Sequence, residues 1–175
     1  MTAITEGRLT FTFPGQWDAV KYDDWSFYRN QFNGCCGGTK AVDILAIGHN
    51  GAQRQGRTLW VIEVKDYRIR PRTKPSDLGD EVAAKVRDSL AGLVAAARNA
   101  HDSSEKSFAR SALASASLRI VLHLEQPVRR SKLFPRLVDP SNVQMKLKRL
   151  LKSVDPRVRV LEVATHARSV SWTVA

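Results

Sequence analysis

The sequence predicts a single-domain α/β protein built on a mixed sheet, with helices on the faces of that sheet. Three observations carry the prediction. The chain has 175 residues, a length at which one core buries roughly 70% of the surface that the unfolded chain exposes. Segments with strand-like alternation and segments with helical periodicity both occur in it. Three strand-like segments precede the long helix and another follows it, an order that suits a mixed sheet better than a strictly alternating dinucleotide fold. No repeat or long linker divides the chain, so residues 1–175 read as one domain, with a core over about 17–124 and a C-terminal helix and strands over 141–174.

Arg8 to Phe13 alternates as a strand does and is stopped by Pro14-Gly15. Trp17 to Phe32 suits either of two readings. Asp23 is placed to cap a short helix with Trp25, Tyr28 and Phe32 on one face, while Val20 and Tyr22 suit a strand. Lys40 to Ile47 and Thr58 to Asp66 are β-branched and apolar, and Gly48-His49-Asn50-Gly51 with a polar loop joins them as a turn joins two strands. A helix follows, with Ser76 as N-cap, Asp77, Asp80 and Glu81 near its positive end, and Leu78, Val82, Val86, Leu90, Leu93 and Ala97 as a stripe. Leu118 to Leu124 is a further strand, Ser141 to Val154 a second helix, and Arg157 to Val163 and Val170 to Val174 are terminal strands.

Composition narrows the class of partner. Lys and Arg number 28 against 17 Asp and Glu, a formal charge of +11, and such a field attracts polyanions, nucleic acid first among them. Met1 to Gly7 carries no basic cluster followed by an apolar stretch. Apolar runs such as Leu93 to Ala97 fall far below the ~18 residues that a membrane span takes, so a soluble, cytoplasmic protein is expected, with no membrane partner. The two cysteines, Cys35 and Cys36, are adjacent in a glycine-rich stretch, which implies neither a disulfide framework nor a zinc ribbon.

The chemistry concentrates on the two strands around the turn. In Leu59-Trp60-Val61-Ile62-Glu63-Val64-Lys65, alternation puts Glu63 and Lys65 on the face of Leu59 and Val61. Both faces are apolar until Glu63, which marks a central strand carrying two charges at the edge of a core. Antiparallel pairing through the turn brings Asp43 opposite Glu63 to within a residue or so. Two neighbouring carboxylates repel unless a cation lies between them, and a hard divalent ion such as Mg²⁺ suits those oxygens. Lys65 is then placed to orient or deprotonate a water, or to neutralise a phosphate. The same three residues also suit a buried ion-pair cluster without catalytic work.

Asp43, then Glu63-Val64-Lys65 twenty positions on, then an amphipathic helix, resembles the PD-(D/E)XK nuclease superfamily, also called restriction endonuclease-like. Val-Asp-Ile-Leu-Ala-Ile followed by Trp-Val-Ile-Glu-Val-Lys-Asp is similar to its nuclease-related-domain and Holliday-junction-resolvase branches. The resemblance covers about Trp17 to Leu124 and implies an αβββαβ core with helices on both faces of the sheet. It implies a Mg²⁺- or Mn²⁺-dependent endonuclease acting on nucleic acid, DNA before RNA, with homodimerisation left open. Asp43, Glu63 and the Val64 main-chain carbonyl would hold the metal, and Lys65 would assist the attacking water. Many members add a Glu before the sheet, where this chain offers only Asp18, Asp23 and Asp24; Asp24 is the accessory candidate. Lys85, on the helix after the Glu-x-Lys strand, is the other, although a surface strip of Glu81, Lys85 and Asp88 explains it as well. Two further readings are a non-catalytic basic nucleic-acid-binding relative and a small nuclease toxin acting on tRNA or DNA.

Beyond the strand, Arg68, Arg70, Arg72 and Lys74 fall on alternate positions of a segment that Pro71 and Pro75 keep out of a central strand. They are expected to form an exposed arm that grips phosphates. The clusters Arg129-Arg130-Ser131-Lys132 with Arg136, and Lys146, Lys148, Arg149 and Lys152, are weaker candidates for the same role.

Overall fold

The computed structural model describes residues 1–48, 56–127, 138–166 and 169–175, the side chain of His166 apart. The turn containing His49 and the basic cluster from Arg129 to Arg136 lie outside the described residues. The chain opens with a hairpin, β1 (Thr2–Glu6) and β2 (Leu9–Phe13), then runs through β3 (Asp18–Lys21), β4 (Ile44–Gly48) and β5 (Thr58–Asp66). Two helices follow, α1 (Leu78–Asn99) and α2 (Ser103–Leu113), before β6 (Ser117–Glu125). The chain finishes with α3 (Pro140–Leu150), β7 (Arg159–Leu161), the single turn α4 (Val163–His166) and β8 (Thr173–Val174).

The main sheet has the order β3-β4-β5-β6-β7. It is antiparallel from β3 to β5 and parallel from β5 to β7, so β5 is the strand at which the sheet changes sense. This is the mixed α/β architecture that the sequence predicts. Parallel strands cannot be joined by a tight hairpin, and here α1 and α2 supply the crossover from β5 to β6.

Period-two alternation sorts the β5 side chains between two cores. Leu59 and Val61 face a core made with Val82, Val86, Leu93, Ala109 and Leu147 of the three long helices. Trp60, Ile62 and Val64 face the other way, into a core with Ile4, Leu9, Phe11, Phe13, Trp172 and Val174. The expectation of helices on both faces is therefore corrected. Helices α1, α2 and α3 cover one face, and the second is covered by the three-stranded sheet β1-β2-β8, whose aromatic residues leave no room for a helical layer. No α-helix precedes β3 among the described residues. In the stretch from Trp17 to Phe32 the chain forms β3, a 3-10 turn at Tyr22–Asp24 and a wide helical turn at Tyr28–Phe32, with Trp25 buried on the helical side.

Helix boundaries follow their caps. Asp77, not Ser76, caps α1, its carboxylate accepting from the N–H groups of Gly79 and Asp80. Asp139 caps α3, with Pro140 in its first turn, where a missing N–H costs nothing.

Three tryptophans tie the second core together. Trp17 stacks on Trp60 with ring centroids 6.2 Å apart, and Trp172 meets Trp60 edge-on at 5.0 Å. The ring of Trp17 lies directly over Gly48 at the end of β4, where an added Cβ would fall 1.9 Å from a ring carbon. Gly48→Ala must push that ring out of its stack, and overpacking of this kind costs about 1–3 kcal/mol. Urea denaturation should show a lower midpoint with an unchanged m-value; a midpoint equal to wild type would contradict this packing.

Candidate functional site

The site lies where β4 begins and β5 ends. The register pairs Ile44 with Ile62, which sets Asp43, just before β4, across from Glu63. Their backbones are pinned as well: Asp43 Oδ2 accepts the Val64 N–H at 2.6 Å, and Ser89 Oγ of α1 accepts the Val42 N–H at 2.9 Å. Val64 thus meets the site through a main-chain N–H donated to Asp43.

Glu63 is only 1% exposed, and two ammonium groups converge on one of its oxygens. Lys65 Nζ donates to Glu63 Oε1 at 2.5 Å and Lys85 Nζ to the same atom at 2.6 Å. Lys85 Nζ also lies 3.7 Å from Asp43 Oδ1. Lys85 therefore does not serve a surface strip. Its neighbours on the helix turn inward too: Glu81 pairs with Arg72 and Lys74, and Asp88 accepts the Lys40 N–H.

Among the described residues, Glu63 Oε2 is buried without a hydrogen-bond partner, as is Asp23 Oδ1. Carboxylate oxygens of Glu6, Asp23 and Asp43 all lie within 4.8 Å of one another. Sequence reading missed Glu6, whose hairpin gives no signal of its final position. It named Asp23 among the available acids but preferred Asp24. The structure instead ties Asp24 to Lys21 and Arg29 and turns Asp23 toward Asp43. The set is one of hard oxygens, Asp23 Oδ1 being without a hydrogen-bond partner among the described residues, and that chemistry fits a divalent cation such as Mg²⁺ or Mn²⁺.

Burial pushes the Glu63 carboxyl up to about 7, with the Asp43 charge adding to it and the two lysines opposing it. Asp23 is pushed up to about 6 by burial, against Lys21 and with Asp43 and Glu6. Burial acts to lower Lys65, but the charge of Glu63 and the hydrogen bond to it win and raise it. Lys65 is thus a cation at neutral pH, suited to neutralising a phosphate and not to removing a proton.

The basic arm after β5 is only partly free. Arg68 makes a two-pronged pair with Asp66, at 2.9 and 2.7 Å. The Arg72 side chain is 9% exposed and reaches Glu81 Oε2 at 3.0 Å and the Tyr67 hydroxyl at 3.2 Å. Arg70 is exposed, and Lys74 is 68% exposed at 3.5 Å from Glu81. The four cations do not form one aligned row of free groups. On α3, Lys146 is held by Asp77 and Asp80, while Lys148 and Arg149, and Lys152 beyond the helix, are exposed. His123, buried in β6, has its Nε2 2.9 Å from Glu125 Oε1, and His101 is exposed. No helix among the described residues is long and apolar enough to cross a membrane.

Comparison with known proteins bears on what this site does. The chain is 40% identical to a cysteine–tRNA ligase of Neisseria meningitidis serogroup A / serotype 4A (strain DSM 15465 / Z2491), over an alignment of 167 residues. The alignment takes in 82% of this chain and 24% of the ligase, so the chain spans about a quarter of that relative's length. No protein-family model matches the chain, and no solved structure matches it significantly. The match overturns the expectation of a metal-dependent endonuclease hydrolysing DNA, together with its nuclease-toxin variant. The similarity is to a segment of a tRNA ligase and not to a hydrolase.

The raised carboxyls set the pH dependence of stability. A carboxyl whose folded-state value lies above its unfolded value binds more protons in the folded state, so stability falls as pH rises between the two. For Glu63 that window runs from 4.5 to about 7. The wild type should lose about 1–3 kcal/mol of unfolding free energy between those limits, read from urea midpoints, and Glu63→Gln should show a much flatter profile. A wild-type stability that rises steadily across the window would contradict the burial of an unrelieved carboxylate.

Proposed function

We propose that this chain is a tRNA-binding domain of an aminoacyl-ligating enzyme, and that its Asp43–Glu63–Lys65–Lys85 cluster meets the phosphate backbone. The observation that carries the reading is the 40% identity with a cysteine–tRNA ligase across 82% of the chain. The charge of +11 supports it, since neutralising phosphates and releasing their counterions supplies most of the affinity of a basic domain for nucleic acid. So do the cations at the end of β5: Lys65 and Lys85 beside Glu63, then Arg70 and Lys74 on the arm.

A divalent cation belongs to the proposal. Asp43, Asp23 and Glu6 would hold it, with Glu63 beside Asp43, and the ion would offset the mutual repulsion of these carboxylates and supply positive charge for a phosphate. Lys65 and Lys85, freed of part of that charge, would be available to the phosphate. The resemblance to the PD-(D/E)XK superfamily is kept as a proposal about descent and fold, supported by three main-sheet strands, two helices and a parallel strand in that order, and without its hydrolytic chemistry.

Fluorescence anisotropy with labelled tRNA and a duplex DNA of equal length, over a range of salt, tests the reading. The chain should prefer tRNA at each salt concentration. Replacing Arg70 and Lys74 with Gln should weaken binding and flatten the dependence of log affinity on log salt by up to ~0.9 for each phosphate that is no longer neutralised. Equal affinity for the two nucleic acids, or tighter binding to DNA, would overturn the proposal.

A further inference from the structure

The adjacent cysteines take no part in the site described above, yet the backbone brings them together. Adjacent side chains of an extended strand point to opposite faces. Here the chain turns through Gly34 and Cys35 and then places Cys36 at φ 53°, ψ 32°, in the left-handed region. Cys36 is the one non-glycine residue with positive φ among the described residues. That turn swings the second side chain round to the first, and the two Sγ atoms lie 3.6 Å apart. Both residues are exposed, and both are free thiols.

The surroundings allow the pair to close further. Gly37 and Gly38 follow at φ 83° and 120°, and a Cβ placed at Gly34, Gly37 or Gly38 would meet nothing within 4 Å. The loop is nevertheless tied at its ends, where Thr39 N–H donates to the Asn33 carbonyl and Lys40 N–H to Asp88. Movement of the two sulfurs is thus confined to an exposed, glycine-flanked segment. A bond between neighbouring residues is strained, because their Cα atoms are about 3.8 Å apart where disulfides usually span about 4.4–6.8 Å. Strained, exposed disulfides are readily reduced, which makes such a bond reversible.

We propose that Cys35 and Cys36 form a reversible dithiol–disulfide site whose oxidant is a low-molecular-weight disulfide. One cysteine thiolate attacks a sulfur of the small disulfide, and the first small thiolate leaves. The second cysteine thiolate then attacks the protein sulfur of that mixed disulfide, forming the Cys35–Cys36 bond and expelling the second small thiolate. The two cysteines are oxidised by two electrons, the small disulfide is reduced to two thiols, and the two cysteine protons pass to those thiols through solvent. The proposal is independent of tRNA binding.

Oxidised glutathione on the full chain tests it, read by thiol titration, intact mass and a non-reducing gel. The wild type should lose both thiols and two hydrogens in mass, stay monomeric on the gel, and recover both thiols with dithiothreitol. Cys36→Ser, which keeps one thiol, should stop as a glutathione adduct. Two stable glutathione adducts on each wild-type chain, a disulfide-linked dimer, or two thiols that survive treatment would each overturn the proposal.

Discussion

The structure turns on the problem of keeping the Glu63 carboxylate inside a core. β5 is the strand at which the sheet changes from antiparallel to parallel, and its residues from Thr58 to Val64 are all buried. An isolated charge in that position would carry a desolvation cost of several kcal/mol. The fold answers with groups from separate elements. Lys65 comes from the same strand, Lys85 from a helix twenty-two positions on, and Asp43 from the start of the neighbouring strand. One oxygen of Glu63 takes both ammonium groups, and the other takes none of the described groups. That unequal solution is why the carboxyl holds its proton to about 7, and why the cluster is suited to receiving a cation.

The same arrangement explains how elements remote in sequence serve one place. The α1 side chains that a helical wheel would give to solvent bind inward: Glu81 to the arm, Lys85 to the sheet, Asp88 to the loop before β4. Ser89 fixes the Val42 backbone and so the position of Asp43. The arm after β5 is held to α1 by Arg72, which leaves Arg70 and Lys74 as its more exposed cations. A basic surface therefore borders a partly neutralised acidic centre, the arrangement expected where a polyanion must come close to carboxylates.

Much of this was legible in the sequence because period-two and helical patterns are strong where burial is complete. β5, β6 and α1 show it, as does the register that sets Asp43 opposite Glu63. β1 and α2 were not read, and β3 only as one of two alternatives, for physical reasons. β3 is four residues long and buries none of them fully. α2 buries only Phe108, Ala109 and Ala112 among serines and charges, too short a stripe to stand out. Glu6 and Asp23 reach the site through tertiary packing of short elements, which leaves no periodic trace. The activity was misread for a different reason: Asp43 and Glu63-x-Lys65 specify a geometry, and one geometry can serve more than one chemistry.

The central claim, that the Glu63-centred cluster is where a divalent cation and tRNA phosphate meet the protein, is tested most directly by tRNA affinity with and without Mg²⁺ at constant ionic strength. Wild type and Glu63→Gln are compared, with thermal melts confirming that both are folded. Mg²⁺ is expected to tighten wild-type binding several-fold and to have much less effect on Glu63→Gln, because the substitution removes the carboxylate beside Asp43 and leaves the exposed arm intact. An equal response to Mg²⁺ in the two proteins would contradict the claim.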